Sequence, residues 1–387
     1  MKHTVMTLGS VATYINGRAF KPAEWENDGL PIIRIQNLTD AKAKYNYSSI
    51  QHDERFKVQN GELLFAWSAS LGAHIWRGGN AWLNQHIFKV IPNDGIDKMY
   101  LYYYLCSVVA ELYSKTHGSG MVHITKGPFM LTPIPVPPIE EQKHIVSRTE
   151  ELFSELDNGV ETLQKTKQQL AVYRQAVVKS VLDSYCKDAV TLKIGDVCHD
   201  VKVGIVIKPT QYYVQSGGVR AFRNANVRRN YIEDNDWAMI SQEGHKQNSR
   251  SEVHTGDVLI ARSGVNLGMA AAVPEQYDNY NAIDVVIAVP KQDMILPRYL
   301  AYYTNSPYGI NSVKRNQRGA AQGHLNITVY GKLPIILPTI GVQETIIKEI
   351  DARLSACDNI EKTVDTALQQ AEAMRQSILK QAFEGRL

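Results

Sequence analysis

Cysteine is scarce and scattered. The four cysteines, Cys106, Cys186, Cys198 and Cys357, come no closer than twelve positions to one another, so no CxxC zinc or redox unit can form. Thiols without spacing suit a reducing compartment. No run of about 18 apolar residues is present, which excludes a membrane-spanning helix. The opening MKHTVMTLGS lacks the apolar core of a signal peptide, and a cytoplasmic location is expected. Charge of one sign is not in excess: 42 Lys and Arg face 39 Asp and Glu, a net of +3. Nucleic-acid binding, if present, must rest on local charge. Catalytic signatures are missing too. The sole Pro-Pro pair, Pro137-Pro138, lies between Val136 and Ile139, not in the Asn/Asp-Pro-Pro-Tyr/Phe loop of amino-methyltransferases. The sole Gly-Lys pair, Gly331-Lys332, precedes Leu333 and not the Ser or Thr of a P-loop. The eleven histidines, His74, His86, His117, His123 and His324 among them, form no HExxH unit or other close metal spacing. No catalytic residue, metal ligand or cofactor site is therefore assigned.

What is there is repetition. The 387 residues allow two to three domains, with 44% hydrophobic and 21% charged residues in the ordinary globular range. Met6-Thr-Leu-Gly-Ser-Val is answered by Lys193-Ile-Gly-Asp-Val, and Arg34-Ile-Gln-Asn-Leu by Arg223-Asn-Ala-Asn-Val. Gly61-Glu-Leu-Leu-Phe-Ala is answered by Gly256-Asp-Val-Leu-Ile-Ala, and Tyr100-Leu-Tyr-Tyr-Tyr by Tyr299-Leu-Ala-Tyr-Tyr. Pro133, Pro137 and Gln142 return as Pro334, Pro338 and Gln343. The offset drifts from 186 to 201 and is constant at 201 from about His123 onward. A constant offset means a length-critical element in the later part of each copy.

That element reads as a helix. The spans from about Glu140 to Asp183 and from about Val342 to Phe383 hold no proline and are rich in Gln, Lys, Glu, Ala and Leu. Leu156, Leu163, Leu170 and Val177 recur every seven residues, and 201 positions on the line becomes Cys357, Val364, Ala371 and Ile378. A partner line runs through Ile145 and Leu152, and through Ile346, Ile360, Ala367 and Met374. Such heptads argue for a coiled coil, and forty helical residues make a rod of about 60 Å. Antiparallel pairing of the two would give an internal pseudo-twofold repeat. Residues 1–136 and 187–337 are then paired globular domains, with spacer helices in 137–186 and 338–387. Short β-type runs (Leu30 to Ile35, Glu62 to Ala66, Ile87 to Ile91, Val258 to Ala261, Val285 to Val289) and short helices (Met99 to Tyr113, Pro297 to Asn305) make the fold class mixed α/β (α+β).

Local charge separates the copies. Between Ile310 and Ile335 stand Lys314, Arg315, Arg318 and Lys332 with no acid. This basic, amide-rich stretch suits phosphate and base-edge contact. Its counterpart SKTHGSGMVHIT has His and Ser instead, so one frame carries two chemistries.

In the order of these features the chain resembles the specificity subunits of type I restriction–modification systems. The resemblance covers essentially the whole chain. It rests on the openings with Leu8-Gly9 and Ile194-Gly195, the proline-rich entries TPIPVPPIEEQ from Thr132 and LPIILPTIGVQE from Leu333, and the ending Ile378-Leu-Lys-Gln-Ala-Phe-Glu-Gly-Arg-Leu387. It implies two target-recognition domains that each read half of a bipartite double-stranded DNA target, and a helical spacer that sets the gap. It implies partners as well: two methyltransferase subunits, and restriction/translocase subunits, which use S-adenosylmethionine, ATP and magnesium in host defence. The chain itself is then a non-catalytic subunit. The acidic Lys21-Pro-Ala-Glu-Trp-Glu-Asn-Asp of the first domain departs from the basic density usual in the family. Since Arg reads guanine and Asn or Gln reads adenine, the candidate DNA-binding residues are Arg34, Gln36, Asn37, Trp67, Ser68, Asn84, Gln85 and His123 in the first domain. In the second they are Arg223, Asn226, Arg262, Ser263, Asn266, Lys314, Arg315, Arg318, Gln322 and His324. The alternative is a non-catalytic coiled-coil scaffold that joins two protein-binding domains.

Overall fold

The computed structural model describes residues 4–40, 42–114, 124–317 and 324–387. The chain divides into two compact units, Met1–Leu163 with Asp365–Leu387, and Gln164–Val364.

In the first unit an antiparallel sheet runs in the order Ala12–Asn16, Ile87–Pro92, Leu63–Ala66, Gly72–Ile75. A smaller sheet runs Asn46–Ser48, Leu30–Ile33, Ala81–Leu83, Lys57–Val58, with its two central strands parallel. A two-stranded ribbon, Thr4–Thr7 with Pro133–Val136, lies at the entry to the first long helix. The second unit repeats all three. Its sheets are Cys198–Val203, Val285–Pro290, Val258–Ala261, Ala270–Ala272, then Ala238–Ile240, Val219–Phe222, Tyr280–Ala282, Glu252–Val253, then the ribbon Val190–Lys193 with Pro334–Leu337.

The strands LLFA and VLIA are apolar throughout because both faces are covered. Leu63 and Phe65 enter one core with the helix Lys98–Ser114, while Leu64 and Ala66 enter another with Ile33, Val58 and Leu83. Val258 and Ile260 pack with Tyr299 and Leu300, and Leu259 and Ala261 with Phe222 and Val253. A period of two thus feeds two cores from one strand. Each fully buried Leu or Ile contributes about 1.5–3 kcal/mol.

The long helices span Ile139–Tyr185 and Ile340–Phe383. Leu170, Val177, Cys357, Val364 and Ala371 of the heptad line are buried, so that spacing marks the seam. The partner line does not hold to its end. Ile346 is buried, but Ile360 and Met374 are 47% and 55% exposed. A pair of helices buries one stripe of each, and these two positions lie off it. In the second unit Arg174 bridges Asp358 at 2.6 Å and Glu361 at 2.8 Å, and the Tyr185 hydroxyl donates to Glu349 at 2.9 Å. Numbers rise on one helix as they fall on the other, so the segments pair antiparallel. In the first unit Arg375 bridges Asp157. The two arginines stand 201 positions apart, as do the two aspartates, so one contact is made twice with the helices' roles exchanged.

Each domain is fastened to a helix start by a buried glutamine. The Gln142 amide donates to the carbonyls of Gly95 and Pro137 and accepts from the Asp97 N–H at 2.8 Å. Gln343 does the same with Met294, Pro338 and the Leu296 N–H. Each domain also receives a helix end. Phe383 packs edge-on against Tyr100 and Tyr104 in the first, and Val178, Val181 and Leu182 enter the core of Tyr299 and Tyr303 in the second. No described helix is long and apolar enough to cross a membrane.

Candidate nucleic-acid interface

Topology brings three connections together at one edge of each domain. In the first, the parallel strands Leu30–Ile33 and Ala81–Leu83 end side by side, so Arg34 and Gln36 leave the sheet beside Asn84 and Gln85. The antiparallel register Ala66↔Ile87 then places Trp67 against His86. A fourth segment returns to the same place, since the Ile124 N–H donates to the Trp67 carbonyl at 3.1 Å. The second domain repeats this with Arg223 and Asn224 beside Ile283 and Asp284, with Arg262 after its strand, and with the Leu325 N–H donating to the Arg262 carbonyl at 2.8 Å.

Close approach makes the junction possible. The Gly17 and Gly204 N–H groups donate to Ile87 and Val285 at 3.0 and 2.9 Å. A Cβ there would lie 2.0 Å from the Asn84 carbonyl oxygen and 2.4 Å from that of Ala282, so glycine is required. Beside it both domains hold a non-glycine residue in left-handed backbone, His86 at φ 74° and Asp284 at φ 53°. Outliers of this kind gather at ligand-contact sites, where surrounding bonds fix them.

The side chains on this shared frame differ. In the first domain Trp67 is half-buried, stacked on Phe88 with centroids 5.8 Å apart and edge-on to His86 at 4.9 Å. Its indole N–H donates to Asn16 Oδ1 at 2.9 Å. The Arg34 guanidinium lies over the Trp25 ring at 5.6 Å, and Gln36 and Gln85 are exposed. In the second domain the Trp67 position is Arg262, whose Nη1 meets Asp284 Oδ1 at 3.1 Å. Arg223 Nη2 meets Asp236 Oδ2 at 2.7 Å. Both arginines bury an Nε that has no hydrogen-bond partner among the described residues. An aromatic mouth faces one half of the duplication and an acid-braced cationic mouth the other.

Several candidates turn out to hold the frame instead of facing outward. Asn37 and Asn226 are buried, and each accepts from the N–H three residues earlier, of Arg34 at 3.0 Å and Arg223 at 2.9 Å. Their Nδ2 groups are spent on the carbonyls of Ala43 and Lys44, and of Glu233 and Asn235. Ser68 is buried, and buried Asn266 donates to the Asn224 carbonyl at 2.9 Å. The Ser263 hydroxyl accepts from Asn224, and Asn84 Oδ1 accepts from the Gln85 N–H. The buried amides of Asn37, Asn226 and Asn266 cannot reach a base edge without breaking the loop, whereas Asn84 is only partly buried. Lys314 and Arg315 are exposed on the helix Pro307–Gln317, and His324 is exposed one residue before Leu325. His123, Arg318 and Gln322 lie outside the described residues.

Asn224 is the residue that sequence reasoning passed over. Its Nδ2 donates to Ser263 Oγ at 2.9 Å and to the Asp284 carbonyl at 3.0 Å, and its Oδ1 accepts from the Arg262 N–H at 2.7 Å. Three connections thus meet on one side chain. Its place in Arg223-Asn-Ala-Asn was visible, but its partners lie 38 to 60 positions away. Among the described residues no group of three His, Cys, Asp or Glu could hold a metal ion.

Residues 2–171 match the type I restriction modification DNA specificity domain. The chain is 28% identical to the specificity subunit of the type I restriction enzyme EcoBI of Escherichia coli, over 99% of this chain and 85% of that protein. It is 23% identical to the specificity subunit of the type I restriction enzyme MjaVIII of Methanocaldococcus jannaschii, over 99% and 92%. A chain solved in work on complex assembly and conformational transition of the type I R-M system shares the fold, with a TM-score of 0.71 at 17% identity over 99% of this chain and 98% of that one. With the DNA specificity domain matched over residues 2–171, the same architecture folded again in the second copy, and similarity along the full length, the chain is similar throughout to the specificity subunits of type I restriction–modification systems.

Proposed function

We propose that each domain reads one half of a bipartite DNA target through the edge where its connections converge. The carrying observation is the duplicated mouth with unlike side chains: Trp67 and His86 in one copy, Arg262 and Asp284 in the other. A shared backbone fixes where a reader stands, and the side chain fixes what it reads. The long helices set the gap between half-sites and dock two methyltransferase subunits. Restriction/translocase subunits complete the nuclease. S-adenosylmethionine, ATP and magnesium are used by those partners, and this chain is a non-catalytic subunit. Each domain holds its half-site so that an adenine can be flipped into a partner's pocket. Of the candidates, Arg34, Gln36, Trp67, Asn84, Gln85, Arg223, Arg262, Lys314, Arg315 and His324 are assigned this role, and His123, Arg318 and Gln322, outside the described residues, are proposed for it with them.

The test is methylome sequencing of cells with and without the gene. A bipartite adenine-methylation motif that vanishes on deletion is the expected result. An unchanged methylome, or a motif with a single contiguous half, rejects the proposal.

A further inference from the structure

Val265 is 97% exposed, at the tip of the loop that follows Arg262. An apolar side chain in water contributes no burial, and what sets this one apart from other exposed apolar residues is its place on a braced loop beside Arg262. The loop around it is held firmly. Gly264 sits at φ 70°, the Leu267 N–H donates to the Gly264 carbonyl at 3.2 Å, and the Gly268 N–H to Ala261 at 2.7 Å. Its neighbour Asn266 is buried and tied to Asn224 at 2.9 Å. The side chain is β-branched and stiff at χ1, so a short apolar fork is presented outward at a fixed place. The corresponding loop of the first domain is one residue shorter and carries Ala69 and Ser70 there.

The surroundings are basic. Arg229, Lys314 and Val265 line one hollow of about 210 Å³, and Arg315 is exposed on the same helix as Lys314. Cations of this kind grip phosphates and set register without reading sequence. The apolar group that a base edge offers in the major groove is the C5-methyl of thymine. Side chains that wedge between base steps are longer or bulkier, such as Phe, Leu, Ile, Met or Pro. We propose that Val265 is a specificity-determining residue of the second domain and contacts the C5-methyl of one thymine in its half-site. This rests on the DNA-reading function proposed above.

The test uses the full chain in complex with its methyltransferase subunits. The half-site of the second domain is assigned by exchanging residues 187–337 for those of another family member. Duplexes then carry uracil for each of its thymines in turn, on either strand, which removes the methyl alone. Wild type should bind one such duplex about four-fold more weakly, the worth of one buried carbon. Val265→Ser should bind the natural duplex at that weaker level and be indifferent to the same uracil. The substitution faces solvent, so folding is not at stake. Wild-type indifference to every uracil, a half-site without thymine, or a Val265→Ser complex that still senses the methyl overturns the inference while leaving bipartite reading intact. Absence of any bipartite motif overturns both.

Discussion

At the residue scale the molecule spends its buried amides on architecture. Gln142 and Gln343 each satisfy two carbonyls and one N–H where a domain meets its helix. Truncating either leaves buried groups without partners, at about 1–3 kcal/mol per orphan. Gln343→Ala is expected to lower the unfolding free energy by about 2–5 kcal/mol, read as a lower urea midpoint at unchanged slope; a loss under about half a kcal/mol contradicts that role. His74 in the strand Gly72–Ile75 supplies a pH effect. Burial holds its pKa below the ordinary histidine value of 6.5. The unfolded chain therefore takes up a proton that the folded one resists. Stability is fully present above about pH 6.5 and is lost as the pH falls below it. Melting temperatures of wild type and His74→Asn at pH 7.5 and 5.5 check this, with the wild-type advantage shrinking at the lower pH. Asn37 and Asn226 show what a sequence alone does not distinguish. An asparagine that pins a turn and one that reads adenine are spelt alike. The difference lies in carbonyls such as Ala43 and Asn235, which only the folded loop brings within reach.

At the element scale the helices were legible and their surroundings were not. Spacing of seven and the absence of proline give Ile139–Tyr185 and Ile340–Phe383 almost to the residue, because helix periodicity is local. The strand expected over Leu30 to Ile35 stops at Ile33, since Asn37 closes a turn back onto the Arg34 N–H. That bond is a side-chain event, invisible to hydrophobic alternation. The last turns of both helices belong energetically to the domains they enter. Leu182 is 1% exposed within the core of Tyr299 and Tyr303. Leu182→Ala should cost about 2–5 kcal/mol, and the protection of amides in Val258–Ala261 against hydrogen exchange should fall with it. Equal protection in the variant would show the helix end to be a passive neighbour. The Arg375–Asp157 bridge predicts a smaller scale at its exposed aspartate, where Asp157→Ala should cost under about 1 kcal/mol, while Arg375 is half-buried and also lies over the Phe153 ring at 4.5 Å.

At the scale of the whole molecule, duplication separates what must be constant from what must vary. The copies keep the ribbon, the glutamine fastening, the tight glycine and the exchanged Arg–Asp bridge. They change the side chains at the converging edge. If the constant parts serve assembly and spacing and the variable parts serve reading, the two properties can be altered independently. Exchanging residues 1–136 for those of another family member should replace one half of the methylated motif and leave the other half and the gap as they were. Removing four residues from one long helix should do the reverse. Four residues shorten a helix by about 6 Å, and the contacts that fasten each domain to its helix start stay in place. The gap between half-sites should then change while both half-sites persist. Methylome sequencing reads both experiments. A domain exchange that alters both halves, or a shortened helix that leaves the gap untouched, means that reading and spacing are not carried by separate parts of this fold.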